Sequence, residues 1–146
     1  VSDGNRPLSG VIQVSSGADS TCAVTTQGRV WCWGANESGQ LGDGTNSAHT
    51  LPAQVSGLNS GITMLATGSS HTCALTSTGT VRCWGANDHG QLGDGTTISS
   101  TIPSTVSGLG TVMLFTLTWI ASASAGPIQI GSQRFATFSL SNTTRW

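Results

Sequence analysis

The sequence contains no lysine and no tyrosine, and it carries little charge of either sign. Charged residues fill 8% of its 146 positions, against roughly 25% in an ordinary soluble domain. The basic residues are all arginines (Arg6, Arg29, Arg82, Arg134 and Arg145), and the formal net charge is -1. So few scattered cations exclude a basic surface able to neutralise phosphates, so no nucleic-acid partner is expected. An electrostatic hold on an anionic membrane surface is excluded for the same reason. Without lysine there is no phosphate-binding loop of the GxxxxGK type. No apolar run approaches the roughly 18 residues a membrane helix needs, so no membrane span is expected. An initiating methionine and a basic, apolar leader are missing too, which reads as a piece of a longer or processed protein. Twenty glycines among many serines, threonines and asparagines suit a disordered chain, but 36% hydrophobic residues with five tryptophans and a net charge of only -1 oppose it, because disordered chains are poor in aromatics and rich in net charge.

What the chain does have is an internal repeat. Residues 17–45 recur as residues 68–96, with Cys22 returning 51 positions later as Cys73, Cys32 as Cys83 and Trp33 as Trp84. Pro52, Val55, Gly57 and Leu58 return as Pro103, Val106, Gly108 and Leu109 at the same offset. Each period reads as short strands separated by turns. The expected strands are 11–14, 21–25 and 30–33, matched by 62–65, 72–76 and 81–84, with a weaker fourth strand following Pro52 and Pro103. No segment has helical periodicity. Gly28 and Gly79 supply the left-handed residue that closes a three-residue hairpin turn. An all-β architecture of four-stranded antiparallel blades with a period of about 51 residues follows, that is, a partial β-propeller.

The motif Trp-Gly-x-Asn-x-x-Gly-Gln-Leu-Gly occurs at residues 33–42 and again at 84–93. With the preceding Gly-x-x-His-Thr-Cys-Ala-Leu of the second copy, it resembles the regulator-of-chromosome-condensation repeat. The resemblance implies a propeller, typically of seven blades. It implies repeat-core roles for Trp33, Gly34, Gln40, Leu41 and Gly42, and for Trp84, Gly85, Gln91, Leu92 and Gly93. The paired cysteines look like the secreted bacterial, alpha-tubulin-suppressor-like branch. Two repeats cannot close a ring, so the expected neighbours are further blades of the same chain or copies of itself.

The domain boundaries expected are 1–58 for the first repeat, 59–111 for the second and 112–146 for a tail. A third copy would place cysteine at 124 and 134 and tryptophan at 135, where the chain has Ser124, Arg134 and Phe135. A diverged third blade, a terminal cap and a shifted reading frame all account for that. The apolar run 112–120 reads as a buried strand, and residues 135–140 as a further one.

Counting outward from the hairpin turn sets Cys22 opposite Cys32 and Cys73 opposite Cys83, close enough for disulfides. The alternative is four reduced, buried thiols. Disulfides would imply an oxidising compartment, extracellular or at the cell surface. Zinc is not expected, since no short Cys-x2-4-Cys spacing occurs, and no cofactor is implied. Strand alternation puts Cys22, Val24, Val30 and Cys32 on one face, and Ala23, Trp31 and Trp33 on the other. Both faces are expected to be buried. His71 is expected to be a structural, hydrogen-bonded histidine. Asp43-Gly44 and Asp94-Gly95 read as Asx turns rather than calcium loops. Asn36 and Asn142 head glycosylation-type triplets, which matter only in a secreting eukaryote.

Where the copies differ, the differences fall in loops. Glu37 and Ser38 become Asp88 and His89, and the segment containing Asn46 and His49 also changes. Variable loops on a repeated scaffold point to recognition. The expected function is a non-enzymatic binding module for a protein or surface ligand. The candidate residues are Glu37, Ser38, Asn46, His49, Asp88 and His89. Guanine-nucleotide exchange on a small GTPase, as in the founding nuclear member of the family, is the alternative; hydrolase or lyase chemistry would need an acid-base pair that does not recur.

Overall fold

In the computed structural model, residues 8–110 are described. They form two four-stranded antiparallel sheets, one from each repeat. Blade 1 contains β1 (Val11–Ser16), β2 (Ser20–Thr25), β3 (Val30–Gly34) and β4 (His49–Gln54). Blade 2 contains β5 (Ile62–Thr67), β6 (His71–Thr76), β7 (Val81–Gly85) and β8 (Ser100–Thr105). Strand order follows chain order in both sheets. The tail expected at 112–146, with its strands at 112–120 and 135–140, lies outside the described residues.

The central hairpins hold the blades in register. Thr25 N donates to Arg29 O at 3.0 Å and Gly28 N to Thr25 O at 2.8 Å, with Gly28 at φ 71°. That positive φ is open to glycine at little cost, and it closes the three-residue turn. Thr76, Gly79 and Thr80 repeat the geometry. The register then sets Val24 opposite Val30 and Cys22 opposite Cys32, and Leu75 opposite Val81 and Cys73 opposite Cys83. Both cysteine pairs are joined as disulfides, with Cα atoms 4.1 Å apart in each.

The fourth strands correct one expectation. Pro52 and Pro103 lie inside β4 and β8, not ahead of them. A proline lacks the N–H a ladder needs, so it is confined to edge strands and bulges. Both conditions are met: β4 and β8 are edge strands, and their register shifts between Cys32 and Gly34 and between Cys83 and Gly85.

The core lies between the blades. Val24, Val30, Leu41, Val55 and Leu58 of blade 1 pack with Ile62, Leu65, Ala74 and Trp84 of blade 2. The Trp84 indole donates to Gln40 O at 2.9 Å, and the Thr72 hydroxyl donates to the same carbonyl at 3.2 Å. Gly42 makes this approach possible. A Cβ there would stand 2.6 Å from Trp84 Nε1, and its φ is 70°. At the first strands, the Gln13 amide pairs with both backbone groups of Leu65, at 2.7 and 2.9 Å, and Thr67 N donates to Ser15 Oγ at 3.0 Å.

The expectation that both faces of each blade are buried fails on the outer sides: on blade 2, Leu75 and Val81 are only half-buried, and the departure is larger on blade 1. Trp84 is fully buried, but Trp33 is only half-buried, and Val11 and Val14 on the same side are exposed. A blade face is covered only where another blade meets it. Among the described residues, nothing stacks on the Trp33 side.

Candidate functional site

In such a sheet the β1–β2 and β3–β4 connections share one end, and the β2–β3 hairpin turn lies at the other. The long connections, residues 35–48 and 86–99, therefore project from the same end of both blades. A buried asparagine organises each. Asn36 and Asn87 are 0% exposed. Asn36 Oδ1 accepts from Leu41 N at 2.9 Å, while its Nδ2 donates to Thr45 O at 3.0 Å and Ser47 O at 2.9 Å. Asn87 does the same with Leu92 N, Thr96 O and Ile98 O. Asn36 is thus no glycan acceptor in the folded chain, because its amide is enclosed and in use. Asn142 lies outside the described residues.

Further bonds stiffen the loops. Asp43 Oδ1 accepts from Thr45 N and Asp94 Oδ1 from Thr96 N, both at 2.9 Å, which makes both Asp-Gly pairs Asx turns. Gln40 Oε1 accepts from Ser38 N at 2.9 Å, and Gln91 Oε1 from His89 N at 2.8 Å. Asn46 Nδ2 reaches Glu37 O at 3.0 Å. His49 Nε2 meets Asp43 Oδ2 at 2.7 Å. Burial opposes the Asp43 carboxylate, but the Thr45 amide and hydroxyl, His49 and Asn36 together hold its pKa below the ordinary value. The Gln91 amide leads the same effect at Asp88, and the Thr96 hydroxyl leads it at Asp94.

Between the two connections lies a polar cleft of about 490 Å³. Ser38 borders it from blade 1, and Ser70, His71, Asp88, His89 and Gln91 from blade 2. The His71 ring packs over Gly68, where a Cβ would stand 2.7 Å from Nδ1. Loop 1 closes on blade 2 at Gly39, where a Cβ would stand 2.8 Å from Thr101 Cα, and Gly44 N donates to Thr101 O at 2.9 Å.

Of the six candidate binding residues, the fold brings Ser38, Asp88 and His89 to the cleft. Glu37 and Asn46 are exposed on loop 1 outside the cleft, and His49 is engaged with Asp43. The repeat-core residues divide. Leu41, Leu92 and Trp84 are fully buried, Gln40 and Gly42 are buried in the interface, and Gly34 and Gly85 sit tight against the β1–β2 and β5–β6 turns. Gln91 is half-buried beside the cleft and Gly93 is exposed. Sequence reasoning missed Asn36 and Asn87 as organisers, although their identity in both copies was the available signal. It also missed His71 as a cleft residue, which only the juxtaposition of loops reveals.

Charge is uneven. Every acidic side chain among the described residues (Asp19, Glu37, Asp43, Asp88 and Asp94) belongs to a connection at the cleft end, while Arg29 lies in the turn at the other end. Among the described residues, no group of three or more His, Cys, Asp or Glu is placed to hold a metal ion.

A profile of the regulator of chromosome condensation (RCC1) repeat matches residues 27–75 and 78–127, and a second such profile matches 11–40 and 62–91. Similar proteins include the human E3 ubiquitin-protein ligase HERC2, 42% identical over 101 residues, which are 68% of this chain and 2% of that protein. The RCC2 homolog of Danio rerio is 38% identical over 102 residues, 65% of this chain and 21% of that one. The mitochondrial RCC1 domain-containing protein RUG3 of Arabidopsis thaliana is 39% identical over 100 residues, 68% of this chain and 22% of that one. The chain therefore spans about a fifth or less of these relatives. The crystal structure of human WBSCR16 superposes with a TM-score of 0.65 at 27% identity, covering 74% of this chain and 29% of that chain. Prp20p of Saccharomyces cerevisiae superposes at 0.60 with 17% identity, covering 66% and 25%.

Proposed function

Since the chain belongs to the regulator of chromosome condensation (RCC1) repeat family, we propose that it is a non-enzymatic recognition segment of a β-propeller. It binds a protein partner through the long loops at one end of its blades. The observation that carries this reading is the cleft, where copy-specific side chains (Ser38, Asp88 and His89) converge on scaffolding the two repeats share. Rigid elements presenting variable loops are the usual platform for binding. The acidic bias of the same end, with Asp43, Asp88 and Asp94 held ionised, gives the partner a chemistry: a protein surface or segment rich in lysine and arginine.

The repeats are assigned to 1–58 and 59–111. The family match that runs on to residue 127 supports reading residues 112–127 as the start of a diverged third repeat, with a terminal cap and a shifted reading frame as the other readings of the tail. The two disulfides support an oxidising compartment, extracellular or at the cell surface, and with it the secreted branch of the family. The exchange-factor and hydrolase or lyase alternatives have no observation of their own among the described residues.

The test is selection from a random peptide display library on the immobilised chain. Basic peptides should be enriched, their binding should weaken as salt rises, and a Glu37→Gln, Asp88→Asn double variant should lose them. Both side chains are exposed, so the fold stays intact. Enrichment of peptides without basic bias, or binding indifferent to the double variant, would refute the acidic-end reading.

A further inference from the structure

We propose that the loop-end cleft holds its basic partner at neutral pH and releases it on mild acidification, with His71 and His89 as the sensing groups. The inference rests on the recognition reading above and adds the regulation of that same site.

Two imidazoles border one polar cleft, and they reach it from separate elements. His71 opens β6, and His89 lies on the connection 86–99. Neither recurs in blade 1, where the positions 51 residues earlier hold Ser20 and Ser38. The His71 ring is seated against Gly68, where a Cβ would stand 2.7 Å from Nδ1. Its backbone oxygen accepts from Gly68 N at 2.8 Å, but among the described residues its ring makes none of the hydrogen bonds expected of a structural histidine. His89 Nδ1 stands 3.1 Å from Asp88 Oδ2, and its side chain is 85% exposed. Both rings therefore meet the solvent of the cleft. His49 differs, being engaged with Asp43 at 2.7 Å and placed off the cleft.

Among the described residues, Asp88 is the one other titratable group on the cleft border. Ser38, Ser70, Ser99 and Gln91 add uncharged polar groups. Asp19, Glu37, Asp43 and Asp94 lie off the border, and no arginine reaches it. The Asp88 pKa is lowered, chiefly by the Gln91 amide, so this carboxylate stays ionised through mild acidification. With both imidazoles neutral the border carries a charge of -1, and with both protonated +1. Histidine is the side chain that ordinarily changes charge between pH 5 and 8. The lysines and arginines of a basic partner stay charged throughout that range. Acidification thus changes one side of the contact only, and attraction gives way to repulsion. A protonated His89 also claims Asp88 for itself, since it already stands at ion-pair distance.

The experiment measures the affinity of a labelled octalysine peptide for the full chain by fluorescence anisotropy, at pH 7.5 and 5.5 and constant ionic strength. A histidine that must be neutral for binding weakens it about tenfold over that interval, and two such histidines about 100-fold. The wild type should show the larger ratio. His89→Ser, at an exposed position, should show about tenfold. His71→Ser combined with His89→Ser should bring the ratio close to one, whatever its affinity at pH 7.5. Circular dichroism should confirm the fold of the double variant, and the single variant tests the proposal without it. Wild-type binding as strong at pH 5.5 as at 7.5 overturns the proposal and leaves the recognition reading standing. So does a His89→Ser variant, or a folded double variant, that keeps the wild-type ratio. No octalysine binding at either pH defeats the recognition reading itself, and this inference with it.

Discussion

Trp33 and Trp84 occupy the same repeat position, yet they should respond very differently to the same substitution. Trp84 is fully buried, wedged against Gly42, and its indole donates to Gln40 O at 2.9 Å. Trp84→Phe removes that bond but does not orphan the acceptor, since the Thr72 hydroxyl also reaches it. The bond alone is then worth about 1 kcal/mol, and the smaller ring adds a modest cavity cost, for a total of about 1–2 kcal/mol. A domain of this size should lose roughly 4–8 °C in Tm for each kcal/mol. Trp84→Ala should cost about 3–5 kcal/mol, enough to consume much of the stability of a typical domain. Trp33 is half-buried and borders an open groove, so Trp33→Phe should cost no more than about 0.5 kcal/mol, the ordinary size of a surface effect. Urea unfolding followed by far-ultraviolet circular dichroism, at a concentration low enough to keep copies apart, reads both. Equal losses at the two positions would refute the stacked-blade account, because only inter-blade burial distinguishes them.

Other outcomes follow from the same geometry. Reducing either disulfide opens a loop of sequence separation 10, and the chain-entropy relation predicts a loss of about 2.7 kcal/mol per bridge; a melt unchanged by reductant would contradict it. Asn36→Ala strips a buried partner from Leu41 N and two loop carbonyls, so it should cost at least about 2 kcal/mol in denaturant midpoint. Mass spectrometry after expression in a glycosylating host should find Asn36 unmodified. The Asp43 carboxyl has its pKa lowered by folding, so its contribution to stability is fully present above the unfolded value of about 3.9 and is lost as pH falls through the folded one. Asp43→Asn should flatten the acid limb of the stability profile below about pH 4, and an unchanged limb would count against the His49, Thr45 and Asn36 network.

The duplication made most of the fold readable. A residue pattern written twice exposes its strands, and the Gly28 and Gly79 turns fix a register from which the Cys22–Cys32 and Cys73–Cys83 pairs can be counted. The fourth strand was misplaced because proline signals an edge or a boundary alike, and only the β3–β4 register shows which. Trp33 was misread because its burial depends on a neighbouring blade, which a local pattern does not contain. The Gln13–Leu65 clamp carried no signal, since its counterpart is Met64 and the copies do not agree there. Asn36 heads a glycosylation-type triplet, but the triplet carries no information on burial, and this asparagine is the buried centre around which the loop winds. Of the site itself, the loops were legible from where the copies diverge. The cleft was not, because Ser38 and His71 are far apart in sequence and meet only through blade stacking.

The central claim, recognition of a protein at the loop end, is tested most directly by site-specific photo-crosslinking. A photoreactive amino acid at position 89, exposed beside the cleft, is compared with one at position 78, exposed in the β6–β7 turn at the opposite end. The account predicts that, in an extract of the source cells pooled with their medium, position 89 yields a discrete protein adduct that an excess of unlabelled chain suppresses, and that position 78 yields none. An adduct confined to position 78, or equal labelling at both ends, would contradict it.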